Sequence, residues 1–123
     1  MADKWQTIHS FWSGFTWDAY DQSSVPDDAT YPRITYEAAT GSFDDYPRQG
    51  VVSLWDRSTS WAAISQKADE IGAVIGQGGS YVAYTGGALW ITRGTPWAQR
   101  MTDEDDMIRR IVLSPVYQFM SEN

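Results

Sequence analysis

Apolar residues first recur at helical spacing. Trp5, Ile8, Trp12 and Phe15 form one stripe, which predicts a helix from Lys4 to Gly14. Asp3 stands where an N-cap belongs and Gly14 where a helix can stop. Periodicity then lapses. From Thr16 to Tyr31 the chain is rich in Asp, Ser and Pro, including Asp18, Asp21, Asp27 and Asp28, and reads as a loop. Strict alternation follows from Arg33 to Thr40, with Ile34, Tyr36 and Ala38 on one face and Arg33, Thr35 and Glu37 on the other. Turn formers fill Gly41 to Gly50, and Val51 to Arg57 reads as a second strand. The two strands predict a long antiparallel hairpin.

The clearest helix is predicted from Ser60 to Ile75. Trp61, Ile64, Ala68, Ile71 and Ile75 make a continuous apolar stripe. Ser58 or Thr59 can cap its start and Gly76 can end it. At ~1.5 Å per residue it is ~24 Å long, enough to cross a small sheet. Tyr81 to Thr85 and Ala88 to Arg93 predict a tight hairpin about Gly86-Gly87. Gly94 to Met107 reads as a long polar loop. The last strand runs from Ile108 to Met120, with Ile111, Leu113, Tyr117 and Phe119 on one face. Pro115 has no N–H for a ladder, so it predicts an edge strand or a bulge. The fold class is α+β: a mostly antiparallel β-sheet with two amphipathic helices packed on it as a single layer pair, in one domain spanning 1–123.

Composition sharpens this picture. A chain of 123 residues buries enough surface to fold without staples. Cysteine is absent, which excludes disulfides and thiolate chemistry. No apolar run approaches the ~18 residues of a membrane span. The start, Met1-Ala2-Asp3-Lys4-Trp5, lacks the basic and apolar regions of a secretory signal, so synthesis and residence in the cytoplasm are expected. The net charge of −7 argues against nucleic-acid specificity. Seven Trp, seven Tyr and four Phe exceed what a core of this size easily buries. Surplus rings at a surface suit protein interfaces.

Candidate chemistry is sparse. His9 is the single histidine, and no serine lies in a nucleophile elbow. Asp103-Glu104-Asp105-Asp106 lacks the spaced ligands and glycine of a calcium loop, and Arg109 and Arg110 follow closely enough to offset its charge. Gly76, Gly78 and Gly79 follow a helix, the reverse of a phosphate cradle. The expectation is a binding protein, not an enzyme, with no cofactor and no metal. A different class, a ligand-binding domain or small enzyme, would use Trp55, Trp61 and Trp90 to stack a flat molecule.

Three stretches carry a family resemblance: Tyr31-Pro-Arg-Ile-Thr-Tyr36; Leu54-Trp-Asp-Arg-Ser-Thr-Ser-Trp61 leading on to Ala68-Asp-Glu-Ile71; and Gly94-Thr-Pro-Trp-Ala-Gln-Arg-Met101 with Asp106-Met-Ile-Arg-Arg-Ile111. Over nearly its full length the chain resembles the tail terminator, or tail completion, proteins of tailed bacteriophages and prophages. Pro115 departs from the uninterrupted closing strand expected of that family. The resemblance implies a homo-hexameric ring that caps the tail tube and meets the head–tail connector, in the host cytoplasm during assembly and then in the virion. Its partners would be copies of itself, the tail tube protein and connector proteins. Another neck protein, for head completion or joining, is the nearest alternative. Within this reading the interface residues are Trp97, Arg93, Arg100, Arg109 and Arg110, with Asp103, Asp105 and Asp106 in the same polar segment. The late arginines are expected to face an early acidic loop of a neighbouring copy, drawn from Asp18, Asp21, Asp27, Asp28, Asp44 and Asp45.

Overall fold

The structure is a computed structural model and describes residues 3–37, 39–40 and 47–121. Helix α1 (Lys4–Ser13) opens with a capping box. Asp3 Oδ1 accepts from the Gln6 N–H at 2.8 Å, and Gln6 Oε1 accepts from the Asp3 N–H at 3.0 Å. Gly14 closes it by donating to the Phe11 carbonyl. Its inward face is Thr7, Ile8 and Trp12, while Trp5 is 53% exposed, so the buried stripe is shorter than predicted.

The segment read as a loop contains a strand. β1 (Asp18–Asp21) lies parallel to β2 (Arg33–Tyr36), pairing Asp18 with Arg33 and Asp21 with Tyr36. Only Ala19 of β1 is buried, so no local pattern announces it. Pairing with β2 overrides the loop-like composition. β2 and β4 (Val52–Arg57) form the predicted antiparallel pair, Arg33 opposite Trp55. Ala38 and the turn-forming residues 41–46 lie outside the described residues. A two-residue strand, β3 (Arg48–Gln49), pairs instead with the last strand.

Helix α2 (Ala62–Ile75) buries Ile64, Ala68, Ile71, Gly72 and Ile75, the predicted stripe with Gly72 added and Trp61 half-buried at its start. Trp61 occupies the N-cap position without a side-chain cap. Ser58 and Ser60 hydroxyls instead accept from the N–H groups of Ser60 and Ala62, stapling the turn before the helix. Gly76, at φ 75°, ends it as expected.

β5 (Ser80–Tyr84) and β6 (Gly87–Met101) form the predicted hairpin, turning at Thr85-Gly86. The expected loop from Gly94 to Met107 is mostly strand. β6 runs on to Met101 and pairs with β7 (Ile108–Ser121), leaving only residues 102–107 to connect them. Between Arg93 and Ala98 the register shifts: Arg93 faces Pro115 and Ala98 faces Leu113, so residues 94–97 bulge opposite Ser114. Gly94 is required there, because a Cβ would lie 2.5 Å from the Ser114 carbonyl oxygen.

The sheet order is β1-β2-β4-β7-β6-β5, with β3 also on β7. Pro115 lies in a central strand and not at an edge, and it is not itself bulged: the bulge is in the neighbouring strand β6, directly after the Arg93 that faces it. The Pro115 carbonyl accepts from the Gly50 N–H at 2.8 Å. In an antiparallel ladder a residue's N–H and C=O point to the same neighbour, so the donor that proline lacks faces Gly50, in the two-residue gap between β3 and β4. Helix α1 touches both β1 and β5, the two ends of the strand order, so the sheet is curled around it. Both helices fill the concave side. One core joins Ile8 and Trp12 of α1, Ile64 and Ile71 of α2, and Leu54, Leu89, Ile111 and Leu113 of the sheet. The fold is α+β with a mostly antiparallel sheet, as the sequence pattern predicts.

Candidate interface surfaces

The predicted arginines do not form one free patch. Arg100 and Arg109 project from β6 and β7 on the concave side and stack on the same indole, Trp61, at 4.9 and 5.3 Å from its ring. Arg109 also donates to the Thr59 and Asp106 carbonyls at 3.0 and 2.8 Å, and Arg100 lies 3.4 Å from Ser65 Oγ. These contacts tie the start of α2 to the β6–β7 end of the sheet. Arg110 points the other way. It stacks on Trp55 at 4.6 Å and donates to Ser53 Oγ at 3.1 and 3.3 Å. Arg93 is exposed at the bulge, remote in the register from the other three.

The acidic run sits among these arginines. Asp103 and Asp105 side chains accept from the backbone N–H groups of Asp105 and Met107, which shapes the turn. Asp105 pairs with Arg57 at 3.7 Å across exposed side chains. Asp106 contributes its carbonyl to Arg109. Among the described residues no cluster of three or more His, Cys, Asp or Glu side chains is placed to hold a metal ion. The acidic residues of the early segment lie on edge strand β1 (Asp18, Asp21) and on the exposed turn at Asp27 and Asp28.

Trp97 is half-buried and turned inward by the bulge. It fits a notch made by two small residues one turn apart on α2. Its Nε1 is 3.5 Å from the Ala68 carbonyl, and a Cβ on Gly72 would come within 2.9 Å of that nitrogen. It packs as part of the core boundary. The structure therefore gives Trp97 an intramolecular partner. Sequence reading missed the notch, although Ala68 and Gly72 at i, i+4 mark it.

The convex side of the sheet carries neither helix. One cross-strand row there reads Asp18, Arg33, Trp55, Arg110, Met101. Outward-facing Val112, Val116 and Met120 alternate along β7 with the buried Ile111, Leu113, Tyr117 and Phe119. Beside them Tyr81 and Trp90 stack with planes 2° apart and centroids at 5.5 Å, and Tyr81 is 65% exposed. Trp90 Nε1 donates to the Gly78 carbonyl at 3.0 Å. The outward apolar alternation on β7 is a sequence signal, because both faces of that strand are apolar. In a chain of net charge −7, the strand positions of this face hold Arg33, Arg57 and Arg110 against the single acid Asp18 at its edge, with Arg57 paired to Asp105 of the β6–β7 turn.

Trp55, Trp61 and Trp90 do not converge. Trp55 lies under Arg110, Trp61 under Arg100 and Arg109, and Trp90 on Tyr81. His9 lies in a hydrogen-bonded chain, with Nδ1 2.8 Å from Tyr36 Oη and Nε2 3.2 Å from Ser13 Oγ. Burial and then the Asp21 carboxylate push the Tyr36 phenol above its usual range. The chain lies on the exposed side of α1 beside an open groove lined by Trp17 and Tyr20. No helix among the described residues is long and apolar enough to cross a membrane.

No family model, no curated protein and no solved structure matches this chain.

Proposed function

We propose that this protein is a structural component of a tailed-phage neck, a tail terminator that assembles as a ring of identical subunits on the end of the tail tube and meets the head–tail connector. The observation that carries the reading is the uncovered convex face. A sheet that buries one face under two helices turns the other toward solvent, with Tyr81 exposed and Trp55, Trp90, Val112, Val116 and Met120 half-buried along it. Large exposed apolar areas on a monomer mark interaction sites, and aromatic enrichment is the compositional mark of interfaces. The resemblance of the three stretches to tail terminators supplies the identity of the assembly. The polar segments first expected to carry the contacts are largely engaged within the subunit, so the sheet face takes their place in this reading.

The test is direct. Native mass spectrometry of the protein, alone and with tail tubes, should show a ring, with six copies expected. A host producing the phage without this protein should accumulate tails of uncontrolled length or tails unjoined to heads. Normal, joined tails in its absence would overturn the proposal. Tails of correct length that fail to join would favour a head-joining role instead.

A further inference from the structure

The two edges of the sheet are built differently. β1 ends it on one side and carries Asp18 and Asp21 within four residues. Charges on an edge strand blunt it against pairing with another chain, above all one that points inward, as Asp21 does beside Tyr36. β5 ends the sheet on the other side with Ser80-Tyr-Val-Ala-Tyr84, five residues without a charge, a proline or a bulge. Among the described residues its only strand partner is β6. Tyr81 and Ala83 are exposed, Val82 is half-buried, and α1 meets the strand from inside the curl. Such an edge is a template for a further strand.

The register decides which groups that edge offers. Tyr84 and Gly87 flank the two-residue turn at Thr85-Gly86, where the first carbonyl accepts from the last N–H. Backbone groups alternate from there, so Tyr84, Val82 and Ser80 turn theirs to β6, while Tyr81 and Ala83 turn theirs to the open edge. A second copy laid antiparallel about Val82 satisfies all of them. Tyr81 exchanges both of its hydrogen bonds with the partner's Ala83, and Ala83 exchanges both with the partner's Tyr81. Side chains agree with this register. On the convex side the large, exposed Tyr81 comes beside the partner's small Ala83, with the partner's Ala88 next in the row. On the concave side the two half-buried Val82 side chains meet at the axis. Centring the pair on Tyr81 would set two phenol rings side by side, and centring it on Ala83 would run Tyr81 against Thr85 in the turn.

We infer that free subunits pair through β5, edge to edge about a two-fold axis at Val82, so that one sheet runs through both copies. The contact is isologous and closes on itself. The joined sheet ends in β1 on both sides, the edge guarded by Asp18 and Asp21, so pairing stops at two copies. A two-fold contact cannot lie within one cyclic ring, whose contacts are heterologous. The pairing therefore goes beyond the ring reading and does not depend on it.

The absence of cysteine makes the test clean. Directly opposed residues of a non-hydrogen-bonded pair lie about 4.5 Å apart at Cα, within the span of a disulfide. Val82→Cys should therefore give a disulfide-linked dimer on mild oxidation. It should form several-fold faster than with Ser80→Cys, whose two copies would lie ~13 Å apart along the ladder. Ala83→Pro removes an outward N–H and leaves the β5–β6 bonds in place. Sedimentation should show the unaltered protein pairing as its concentration rises and this variant monomeric, with an unchanged circular dichroism spectrum. Should Ala83→Pro fail to fold, Ala83→Lys keeps the N–H, adds a charge to the edge, and should pair several-fold more weakly. Equal cross-linking of Ser80→Cys and Val82→Cys would overturn the inference. A monomer at every concentration would overturn it as well, as would a dimer that the position-83 variants leave intact. A ring of unchanged mass in those variants, without the Val82→Cys disulfide, would overturn it and leave the ring reading standing. The β5 dimer in solution with no ring on tail tubes would support it and count against the ring reading alone.

Discussion

Trp12 Nε1 donates to Tyr117 Oη at 3.0 Å, and both groups are buried. This bond joins helix α1 to the central strand β7 across 105 residues of sequence. The curl of the sheet makes it possible, because α1 lies inside the curve and meets the middle strand as well as both ends. Replacing Tyr117 with Phe keeps the packing and removes the acceptor. The indole N–H is then buried without a partner, and the expected loss is ~1–3 kcal/mol in chemical denaturation. A neutral result would mean that water or a shifted side chain satisfies Trp12.

The same tyrosine predicts a pH dependence. Burial pushes the Tyr117 phenol above its usual range; the Trp12 hydrogen bond acts in the lowering direction and the Glu37 charge in the raising one. Tyr36 is raised as well, by burial and Asp21. Both folded-state values exceed the unfolded value of about 10. The unfolded chain therefore loses these protons first. Their stabilising contribution is complete below pH ~10 and declines as the pH rises beyond it. Urea midpoints measured from pH 8 to 11 should be flat and then fall, and Tyr117→Phe should fall less steeply. A midpoint rising with pH in that range would contradict the assignment.

The bulge should be intolerant of a Cβ. Gly94→Ala places a methyl group 2.5 Å from the Ser114 carbonyl oxygen, a backbone atom that cannot swing away. The strands must part locally, at an expected cost of ~1–3 kcal/mol. Trp97→Ala empties the Ala68–Gly72 notch, and for a half-buried ring a loss of ~2 kcal/mol is expected, below the ~3–5 kcal/mol of a fully buried one. Thermal unfolding of both variants checks the pair. If Trp97→Ala left stability unchanged but abolished ring formation, Trp97 would be an interface residue after all.

These elements show how much the sequence carried. Strong periodicity located α1, α2, the β2–β4 pair and the alternation of β7, because each buries one face continuously. Asp3 and Gly76 announced helix ends through local chemistry that does not depend on the fold. β1 was illegible, since a four-residue strand with two aspartates is a strand only by virtue of β2 beside it. The second half of β6 was illegible for a related reason. Gly94-Thr95-Pro96 carries turn chemistry, and the chain uses it for a bulge within a ladder that resumes at Ala98. The arginines were visible as residues but not as a site. Arg100 and Arg109 meet at Trp61 only because α2 crosses the sheet there, and alternation puts Arg110 on the other side.

The capping box gives a local test. Asp3→Ala removes the acceptor for the Gln6 N–H and half of the reciprocal pair. The expected loss is ~1 kcal/mol. Because α1 plugs the curled sheet, the loss should appear in global unfolding and not only in helix fraying. Hydrogen exchange that quickened in residues 4–8 alone, with β7 amides unchanged, would show that α1 opens independently.

Charge reversal at Arg109 separates two roles for the late arginines. If they faced an acidic segment of a neighbouring copy, Arg109→Glu would leave the subunit as stable as before and weaken assembly chiefly at low salt. The structure predicts otherwise. Arg109 is partly buried, stacks on Trp61, and donates to two carbonyls that hold the turn before α2 and the β6–β7 connection. A carboxylate there offers no donor to either carbonyl and meets the negative edge of Asp105 and Asp106. The expected result is a subunit destabilised by ~2 kcal/mol or more, with little dependence on salt, since hydrogen bonds to a charged donor are lost together with the stacking. Arg109→Gln should recover part of it, because an amide can still donate to one carbonyl. Denaturation of the monomer at two ionic strengths decides between the outcomes. A stable Arg109→Glu subunit that fails to assemble would return this residue to the interface.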